Sequence, residues 1–301
     1  MYKIFSHNDL DGYSINVIAR YYNLKVDIKN INNKLVDSEL LHFFESHEYP
    51  RYKKVFLCDI YPSAEMAEYI DKNIDNFILL DHHQTGEFLN KYPWATVKTK
   101  LGNKSTCATE LFYHYLIDKG IAKKNDLIDI YVESVRLFDT GDYMRYEYDN
   151  KYVPQELSTL FFIYFRNYWR HMVPNLKKDY ILSYGDKDVT SNMLTKIQMY
   201  SKQKQNELFF IDFEGIKTGV FFVEESLYIS RVLSDIHVLY PEIKLFMFVN
   251  VPNTISLRSF GDVNVSKLAE KYGGGGHEMA AGFPCNISLL SYILNKKYEN
   301  K

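Results

Sequence analysis

Three short apolar segments in the first half of the chain each run directly into acidic or histidine side chains. The segments are residues 2–6, 55–58 and 77–80, and the side chains that follow them are His7, Asp9 and Asp11, then Asp59, then Asp81, His82 and His83. Imidazole and carboxylate groups in combination are typical of metal-binding sites. The repetition indicates that several strands bring such groups to one edge of a sheet.

The spacing of these residues favours a site built around divalent ions. Strands of a parallel sheet are buried on both faces and carry functional groups at their carboxyl ends. Positions two apart lie on one side of an extended backbone, so the spacing of His7, Asp9 and Asp11 predicts that all three face one ion or ion pair. Asp59 and His82 would add oxygen and nitrogen ligands. Such a shell suits Mn²⁺ or Mg²⁺ better than a thiolate-rich zinc site does.

The order of the apolar segments predicts an α/β fold. Short strands alternate with helical patterns in the first half, which is typical of βαβ units. Strands are expected at 2–6, 25–31, 54–60 and 76–80, and helices at 14–22, 64–72, 105–119 and 125–138. The stretch from Pro154 to about Gln205 is predicted to be helical, with interruptions near Pro174 and Gly185.

The strand pattern returns after residue 206 and predicts a second, smaller α/β unit. Strands are expected at 208–213, 218–223, 244–251 and 254–259, and helices at 226–239, 265–272 and 287–297. The predicted domains are therefore 1–153 with a mainly parallel sheet, a helical connector at 154–206, and 207–301. A length of 301 residues agrees with about two domains of roughly 150 residues each.

Composition excludes several classes of protein. No stretch reaches the roughly 18 uninterrupted apolar residues of a membrane span, so no membrane partner is expected. The first residues lack the apolar core of a signal peptide, and Cys58, Cys107 and Cys285 form neither a CxxC pair nor a disulfide framework. These features predict a cytoplasmic protein. A net charge of −2 argues against a broad basic track for long nucleic acid.

The motifs taken together resemble those of the DHH phosphoesterases, a family named after the tripeptide found here at Asp81, His82 and His83. Asp139-Thr140-Gly141 resembles a fourth motif of that family. The glycines at 273–276, followed by His277 and by Ala280-Ala281-Gly282, resemble the signature of its accessory DHHA1 domain. The sequence of residues 5–12, Phe-Ser-His-Asn-Asp-Leu-Asp-Gly, looks most like the nanoRNase B type of short-oligonucleotide exonuclease. The resemblance spans residues 6 to 282.

The resemblance implies a role for each matching residue. Two divalent ions would be bound, with Mn²⁺ the expected ion and Mg²⁺ or Co²⁺ as alternatives. His7 and Asp9 would bind the first ion, Asp59 would bridge the two, and the second would be bound by Asp11, His82 and Asp139. Asp142 is a nearby alternative to Asp139. Asp81 and His83 would serve catalysis, with His83 facing the phosphate.

The accessory region is expected to bind the substrate. Arg258 and Ser259 match the family's substrate-binding pair, which places a forked cation beside a hydroxyl group. Consecutive glycines allow backbone amides to approach an anion closely. The substrate-binding set is therefore Arg258, Ser259, Gly274, Gly275, Gly276 and His277. Taken alone, a glycine run is more often a flexible loop, and a strand-end arginine is usually solvated.

The resemblance implies a metal-dependent hydrolase of very short RNA or DNA oligonucleotides. Two related activities stay open, namely removal of phosphate from 3′-phosphoadenosine 5′-phosphate and cleavage of linear or cyclic dinucleotides. A nucleotide-binding regulator without turnover is the alternative of another class, and the presence of every expected ligand disfavours it. Family members often pair subunits, so a homodimer also stays open.

Overall fold

A computed structural model describes residues 1–224, 229–250, 254–276 and 278–299. The chain divides into two compact units, Met1–Ser191 and Asn192–Lys301. The predicted fold class is confirmed, because the first unit contains a parallel sheet flanked by helices and the second, smaller unit contains a separate sheet with its own helices. The predicted boundaries at residues 153 and 206 stay a prediction.

The first unit is built around a five-stranded sheet with the strand order β2-β1-β3-β4-β5, in which all neighbouring strands are parallel. Successive side chains alternate between two apolar cores, with Ile4 and Phe56 on one face and Phe5 and Leu57 on the other. Burial on both faces explains the uninterrupted apolar runs in the sequence. The strands are β1 (Tyr2–Ser6), β2 (Val26–Asn30), β3 (Val55–Cys58), β4 (Phe77–Asp81) and β5 (Ala95–Val97).

Helices cover both faces of this sheet, and a small hairpin of β6 (Lys100–Leu101) and β7 (Lys104–Ser105) follows β5. The break between α7 and α8 lies at residues 177–183, between the two predicted interruptions. The helices are α1 (Leu10–Tyr21), α2 (Val36–Glu45), α3 (Ala64–Asn73), α4 (Ala108–Asp118), α5 (Asp126–Asp139), α6 (Pro154–Tyr164), α7 (Tyr168–Leu176) and α8 (Tyr184–Glu207), the last of which continues into the second unit.

The second unit contains a mixed sheet with the order β12-β13-β11-β10-β9-β8, in which only the β9–β10 pair is parallel among the described residues. Its strands are β8 (Phe209–Phe213), β9 (Ile216–Phe222), β10 (Leu245–Asn250), β11 (Thr254–Ser259), β12 (Gly275–Gly276) and β13 (Ala280–Pro284). Its helices are α9 (Ile229–Leu239), α10 (Val265–Glu270) and α11 (Ile287–Glu299).

Several elements differ from the sequence prediction. Helix α1 begins at Leu10 instead of Ser14. Helix α2 and the strands β5, β6, β7, β12 and β13 were not predicted. Residues 226–228 of the predicted helix at 226–239 lie outside the described residues. None of the described helices is both long and apolar enough to cross a membrane.

Candidate metal centre

The carboxyl ends of β1, β3 and β4 lie side by side in the parallel sheet, and the predicted site residues follow them. Asp59 directly follows β3 and has a left-handed backbone with φ +64°. This conformation is uncommon for residues other than glycine, although aspartate tolerates it. Backbone strain of this kind is concentrated at functional sites, which draws attention to Asp59.

The segment after β1 corrects one expectation. The backbone does not stay extended through Asp11, because Asp9 acts as the N-cap of α1 and its carboxylate accepts a hydrogen bond of 3.0 Å from the Gly12 amide. Asp11 therefore lies in the first helical turn. Gly12 is required there, since a Cβ atom at this position would lie 2.2 Å from the His7 carbonyl oxygen.

Asp11 is buried and is fixed by the beginning of α4. Its two carboxylate oxygens accept hydrogen bonds of 2.7 and 2.9 Å from the amides of Ala108 and Thr109. The Thr109 hydroxyl also donates to the Asp11 carbonyl oxygen. Negative charge at a helix N-terminus is stabilised by the helix dipole and by amides without an intrahelical partner.

Among the described residues the side chains form three groups of possible ligands, of which two match the predicted metal ligands and the third consists of Asp59, His82 and His83. In each group the ligand atoms lie within 4.8 Å of one another. Asp59 also lies 3.2 Å from His82 Nε2 through one oxygen and 3.8 Å from His7 Nδ1 through the other, so it connects the two groups. The first group consists of His7, Asp9 and Asp59, and the second of Asp11, His82 and Asp139.

The carboxylates in this cluster strongly influence one another's ionisation. Burial, reinforced by Asp9 and Asp11, raises the pKa of Asp59 well above its usual value. Burial also raises the pKa of Asp139 to about 7, although His82 acts in the opposite direction. Burial alone would lower the pKa of His82, but the neighbouring carboxylates outweigh it and raise the pKa. The cluster therefore has an excess of negative charge and favours positive charge.

Hydrogen bonding provides an independent test of whether cations fit here. Asp59 Oδ2 and Asp139 Oδ2 are buried and have no hydrogen-bond partner. Buried carboxylate oxygens are normally paired with donors or coordinate metal ions. The two oxygens belong to different ligand groups, and the donor set of oxygen and imidazole nitrogen suits divalent cations.

Asp81 and His83 form a pair beside the ligand groups. The Asp81 side chain is fully buried, and its Oδ1 lies 2.7 Å from His83 Nδ1. A carboxylate in this position fixes the orientation and tautomer of the imidazole. His83 also has a ring nitrogen within 4.8 Å of ligand atoms of Asp59 and His82.

The geometry separates the two candidates near the end of α5. Asp139 lies 3.6 Å from His82 Nε2 and belongs to a ligand group. Asp142 Oδ2 instead accepts a hydrogen bond of 2.6 Å from the buried guanidinium of Arg136. Asp142 is therefore already paired, which favours Asp139 as the ligand.

Arg258 and Ser259 belong to the second unit and lie on opposite faces of β11. Ser259 is buried on the same side as Ile255 and Leu257, and its hydroxyl lies 3.4 Å from the Glu278 carbonyl oxygen. Arg258 is partly buried on the other face, and no described carboxylate lies within 4 Å of its guanidinium. Alternation along the strand therefore prevents the two side chains from forming one forked site.

The glycine run has a packing role in the structure. A Cβ atom on Gly274 would lie 2.1 Å from the Gly282 carbonyl oxygen, and one on Gly276 would lie 2.6 Å from that of Ala280. The Gly274 amide donates to Ala269, and Gly275 and Gly276 pair with β13. Gly275 has open space around its Cα atom. His277 lies outside the described residues.

Two residues that support the site were not predicted. Asn30, the last residue of β2, donates a hydrogen bond of 2.6 Å to the His7 carbonyl oxygen. Thr109 holds Asp11 across a separation of 98 residues. Neither contact leaves a local sequence pattern, because each depends on elements that meet only in the folded sheet.

No family model matches the chain. It is similar to oligoribonuclease NrnB of Bacillus subtilis, with 27% identity over 98% of this chain and 75% of the relative. It is also similar to a 3′,5′-cyclic-nucleotide phosphodiesterase of Helicobacter pylori, with 22% identity over 92% of this chain and 90% of the relative.

Two solved structures have a similar fold. The pGpG-specific phosphodiesterase PggH from Vibrio cholerae matches with a TM-score of 0.58 and 13% identity, over 98% of this chain and 97% of the other. Exonuclease RecJ bound to manganese matches with a TM-score of 0.53 and 14% identity, over 98% of this chain and 88% of the other. The ordered motifs, the acidic and histidine cluster and the similarity to NrnB over almost the whole chain agree. These findings support the resemblance to the DHH phosphoesterases, and within them to the nanoRNase B type, that the motifs predicted.

Proposed function

We propose that the protein is a metal-dependent phosphodiesterase that hydrolyses very short RNA or DNA oligonucleotides to mononucleotides. The observation that carries this proposal is the pair of ligand groups connected by Asp59, each with a buried carboxylate oxygen that lacks a hydrogen-bond partner. The relative named as an oligoribonuclease supports the choice of substrate.

The proposed assignment uses the two groups as two cation sites. His7, Asp9 and Asp59 would hold one divalent ion, and Asp11, His82 and Asp139 the other, with Asp59 shared. When bound, two such ions polarise a phosphoryl oxygen and lower the pKa of a water molecule. Mn²⁺ is our expected ion, which is also the ion named for the RecJ structure.

The remaining residues would orient the substrate and stabilise its charge. Asp81 positions His83, whose imidazole would donate a hydrogen bond to a phosphate oxygen or to the leaving group. Arg258 would bind a substrate phosphate, because it is a partly buried cation with no described carboxylate beside it. In this proposal Ser259 and the glycines at 274–276 contribute to substrate binding through the packing of strands β11, β12 and β13.

The proposal is tested with end-labelled RNA and DNA oligomers of about two to twenty nucleotides. We expect the Mn²⁺-loaded protein to degrade the shortest oligomers fastest, since a net charge of −2 argues against a broad basic track for long nucleic acid. The variant His83→Ala should lose at least about 100-fold in rate. His114→Ala, which replaces an exposed histidine outside the cluster, is the matched control.

Failure to cleave any oligomer with any divalent ion would overturn this proposal. Cleavage of 3′-phosphoadenosine 5′-phosphate or of cyclic dinucleotides in its place would support the alternative activities. One relative is named as a phosphodiesterase of 3′,5′-cyclic nucleotides. Nucleotide binding without product would identify a regulator. The three free cysteines agree with a reducing compartment, and a cytoplasmic location stays a prediction.

A further inference from the structure

The first unit contains a concave site that the proposed chemistry does not use. It is a cavity of about 570 Å³ between the β6–β7 hairpin, the last turns of α5 and the loop at 142–152. This volume lies in the range of small-molecule sites, roughly 300–1,000 Å³. We call it the hairpin pocket, and the residues that matter here are Lys100, Lys104, Arg136, Tyr146, Tyr148 and Tyr152.

The hairpin pocket lies next to the candidate metal centre along the chain. Ser105 lines the pocket and lies three residues before Ala108, whose amide donates a hydrogen bond to Asp11. The Cα atoms of Ser105 and Ala108 are therefore at most about 10 Å apart. Its floor residue Arg136 lies one helical turn before Asp139, a rise of about 4.5 Å. Both routes stay inside the first unit. The pocket and the metal centre are therefore built on the same two segments, residues 105–108 and the last turn of α5.

The floor of the pocket is rigid and already has its charges paired. The guanidinium of Arg136 makes hydrogen bonds of 2.7 and 2.9 Å to Glu133, 2.6 Å to Asp142 and 3.0 Å to the Ser105 carbonyl oxygen. These contacts tie helix, loop and hairpin together. A fixed cavity binds its ligand with little loss of conformational entropy.

The lining residues match the chemistry of one nucleotide. Three tyrosine rings offer surfaces on which a base can stack, and such stacking is worth about ten- to hundredfold in affinity. Asn103 and Glu147 supply an amide and a carboxylate for the polar edge of a base. Lys100 and Lys104 are exposed. Lys104 Nζ lies 3.4 Å from a Glu133 carboxylate oxygen, whereas no described carboxylate lies within 4 Å of the Lys100 ammonium group.

The balance of charge argues against a highly charged ligand. Three cationic and three acidic side chains line the cavity, and Arg136 is already paired with two of the acids. A polyphosphate would require a clear excess of positive charge. A single phosphate beside Lys100 and Lys104, with a base against the tyrosines, agrees with this lining.

We infer that the hairpin pocket binds the nucleotide that neighbours the scissile phosphate, with its base on the tyrosine rings and its phosphate at Lys100 and Lys104. The inference rests on the proposed function and adds a subsite to it. It makes the pocket a determinant of substrate length, because a substrate with a single nucleotide cannot occupy both places. Tyr146, which is 66% exposed, is the most accessible of the rings.

The test compares a substrate that reaches the pocket with one that does not. The double variant Tyr146→Ala, Lys100→Ala is assayed with a 5′-phosphorylated RNA dinucleotide and with bis-p-nitrophenyl phosphate, which has no nucleoside. We expect the ratio of the two kcat/KM values to fall at least tenfold. The matched control is Tyr184→Ala, Lys72→Ala, which replaces an exposed tyrosine and an exposed lysine outside the pocket, and its ratio should stay within about twofold of the wild type.

Two outcomes would overturn the inference. Unchanged kcat/KM values on both substrates would show that the dinucleotide does not use the pocket, and an equal loss on both substrates would assign these residues to support of the metal centre. Calorimetry of dinucleotide binding separates this question from turnover. Binding that is tenfold weaker in the double variant supports the subsite even if the wild type cleaves neither substrate, whereas equal binding rejects it.

Discussion

Asp139 and Asp142 are only three residues apart, yet their surroundings give them different chemistry. Asp139 has a buried oxygen without a hydrogen-bond partner and lies beside His82. Asp142 neutralises the buried Arg136. The sequence alone offered both carboxylates as ligands, and only the partner of each one separates them.

This difference leads to opposite expectations for two matched substitutions. Asp139→Asn should remove a ligand and lower metal affinity and phosphodiester hydrolysis by more than about 100-fold, with little loss of stability. Asp142→Asn should retain metal binding and lower the free energy of unfolding by about 3 kcal/mol, because it breaks a buried ion pair. Metal titration and chemical denaturation measure the two effects. Loss of metal binding in Asp142→Asn alone would contradict the assignment.

At the scale of elements, the strands that carry the site were predictable and their extensions were not. Residues 2–6 form β1 as expected, because an apolar run buried on both faces has few alternatives. The start of α1 was missed, since Asp9 was interpreted as part of an extended segment when it caps a helix. Strand β13 was missed because Ala-Ala-Gly has low strand propensity, and its pairing with β11 determines its structure.

The start of α8 depends on one buried carboxylate. Asp186 accepts hydrogen bonds from the amide and hydroxyl of Ser183, from Asn175 and from His171, at distances of 2.7 to 2.9 Å. The ring of His171 also stacks on Tyr164 at 3.9 Å. These contacts connect α6, α7 and α8 within the first unit.

Replacement of this carboxylate should destabilise the protein in a pH-dependent way. Burial acts to raise the pKa of Asp186, but hydrogen bonds from Ser183 and the charge of His171 outweigh it and lower the pKa. A lowered pKa in the folded state contributes stability above the unfolded pKa of about 4 and loses it as the pH falls through the folded value. Asp186→Asn should therefore cost about 2 kcal/mol at pH 7 and less in acid.

Denaturant unfolding between pH 7 and pH 3 measures this difference. The control is Asp188→Asn, which replaces an exposed aspartate in the same helix and should change the free energy of unfolding by less than about 0.5 kcal/mol. A cost that stays constant over this pH range would show that the charge of Asp186 does not contribute.

The glycines of β12 provide a second test at this scale. Gly276 has φ +144°, and a Cβ atom there would lie 2.6 Å from both the Ala280 carbonyl oxygen and the Ala281 Cα atom, whereas Gly275 has open space. Gly276→Ala should lower the free energy of unfolding by about 1–3 kcal/mol and speed hydrogen exchange in β13. Gly275→Ala should change it by less than about 1 kcal/mol. Equal losses would contradict the packing explanation.

At the scale of the whole molecule, the sequence predicted the fold class and the family resemblance better than it predicted individual long-range contacts. The alternation of strand and helix patterns predicted the α/β class, which agrees with the fold. Motifs distributed over most of the chain predicted the resemblance to the DHH phosphoesterases, which agrees with the similarity to NrnB. Contacts such as that between Asp11 and Thr109 could not be predicted, because they require knowledge of which elements meet. The opposite faces of Arg258 and Ser259 follow from strand alternation, once the strand is known to continue through both.

The clustered carboxylates of the metal centre should also lower the free energy of unfolding of the metal-free protein. Asp9, Asp11, Asp59 and Asp139 are close together, and Asp59 is buried with one oxygen unpartnered. Burial and the neighbouring carboxylates disfavour the ionised form of Asp59 in the folded state. Asp59→Asn removes the ionisable group and should therefore raise the metal-free free energy of unfolding by about 1–3 kcal/mol. The same change removes the shared ligand. Mn²⁺ at 100 times its Kd should therefore stabilise the wild type by about 2.7 kcal/mol but have little effect on the variant.

Thermal unfolding in EDTA and in Mn²⁺ tests both halves of this expectation on the same proteins. Asp118→Asn, which replaces an exposed aspartate, should behave like the wild type in both conditions. Two results would contradict the argument, namely a metal-free Asp59→Asn protein that melts below the wild type and an equal gain from Mn²⁺ in both. A higher melting temperature without metal, combined with loss of the response to metal, would show that stability is given up at Asp59 so that the cluster can hold cations.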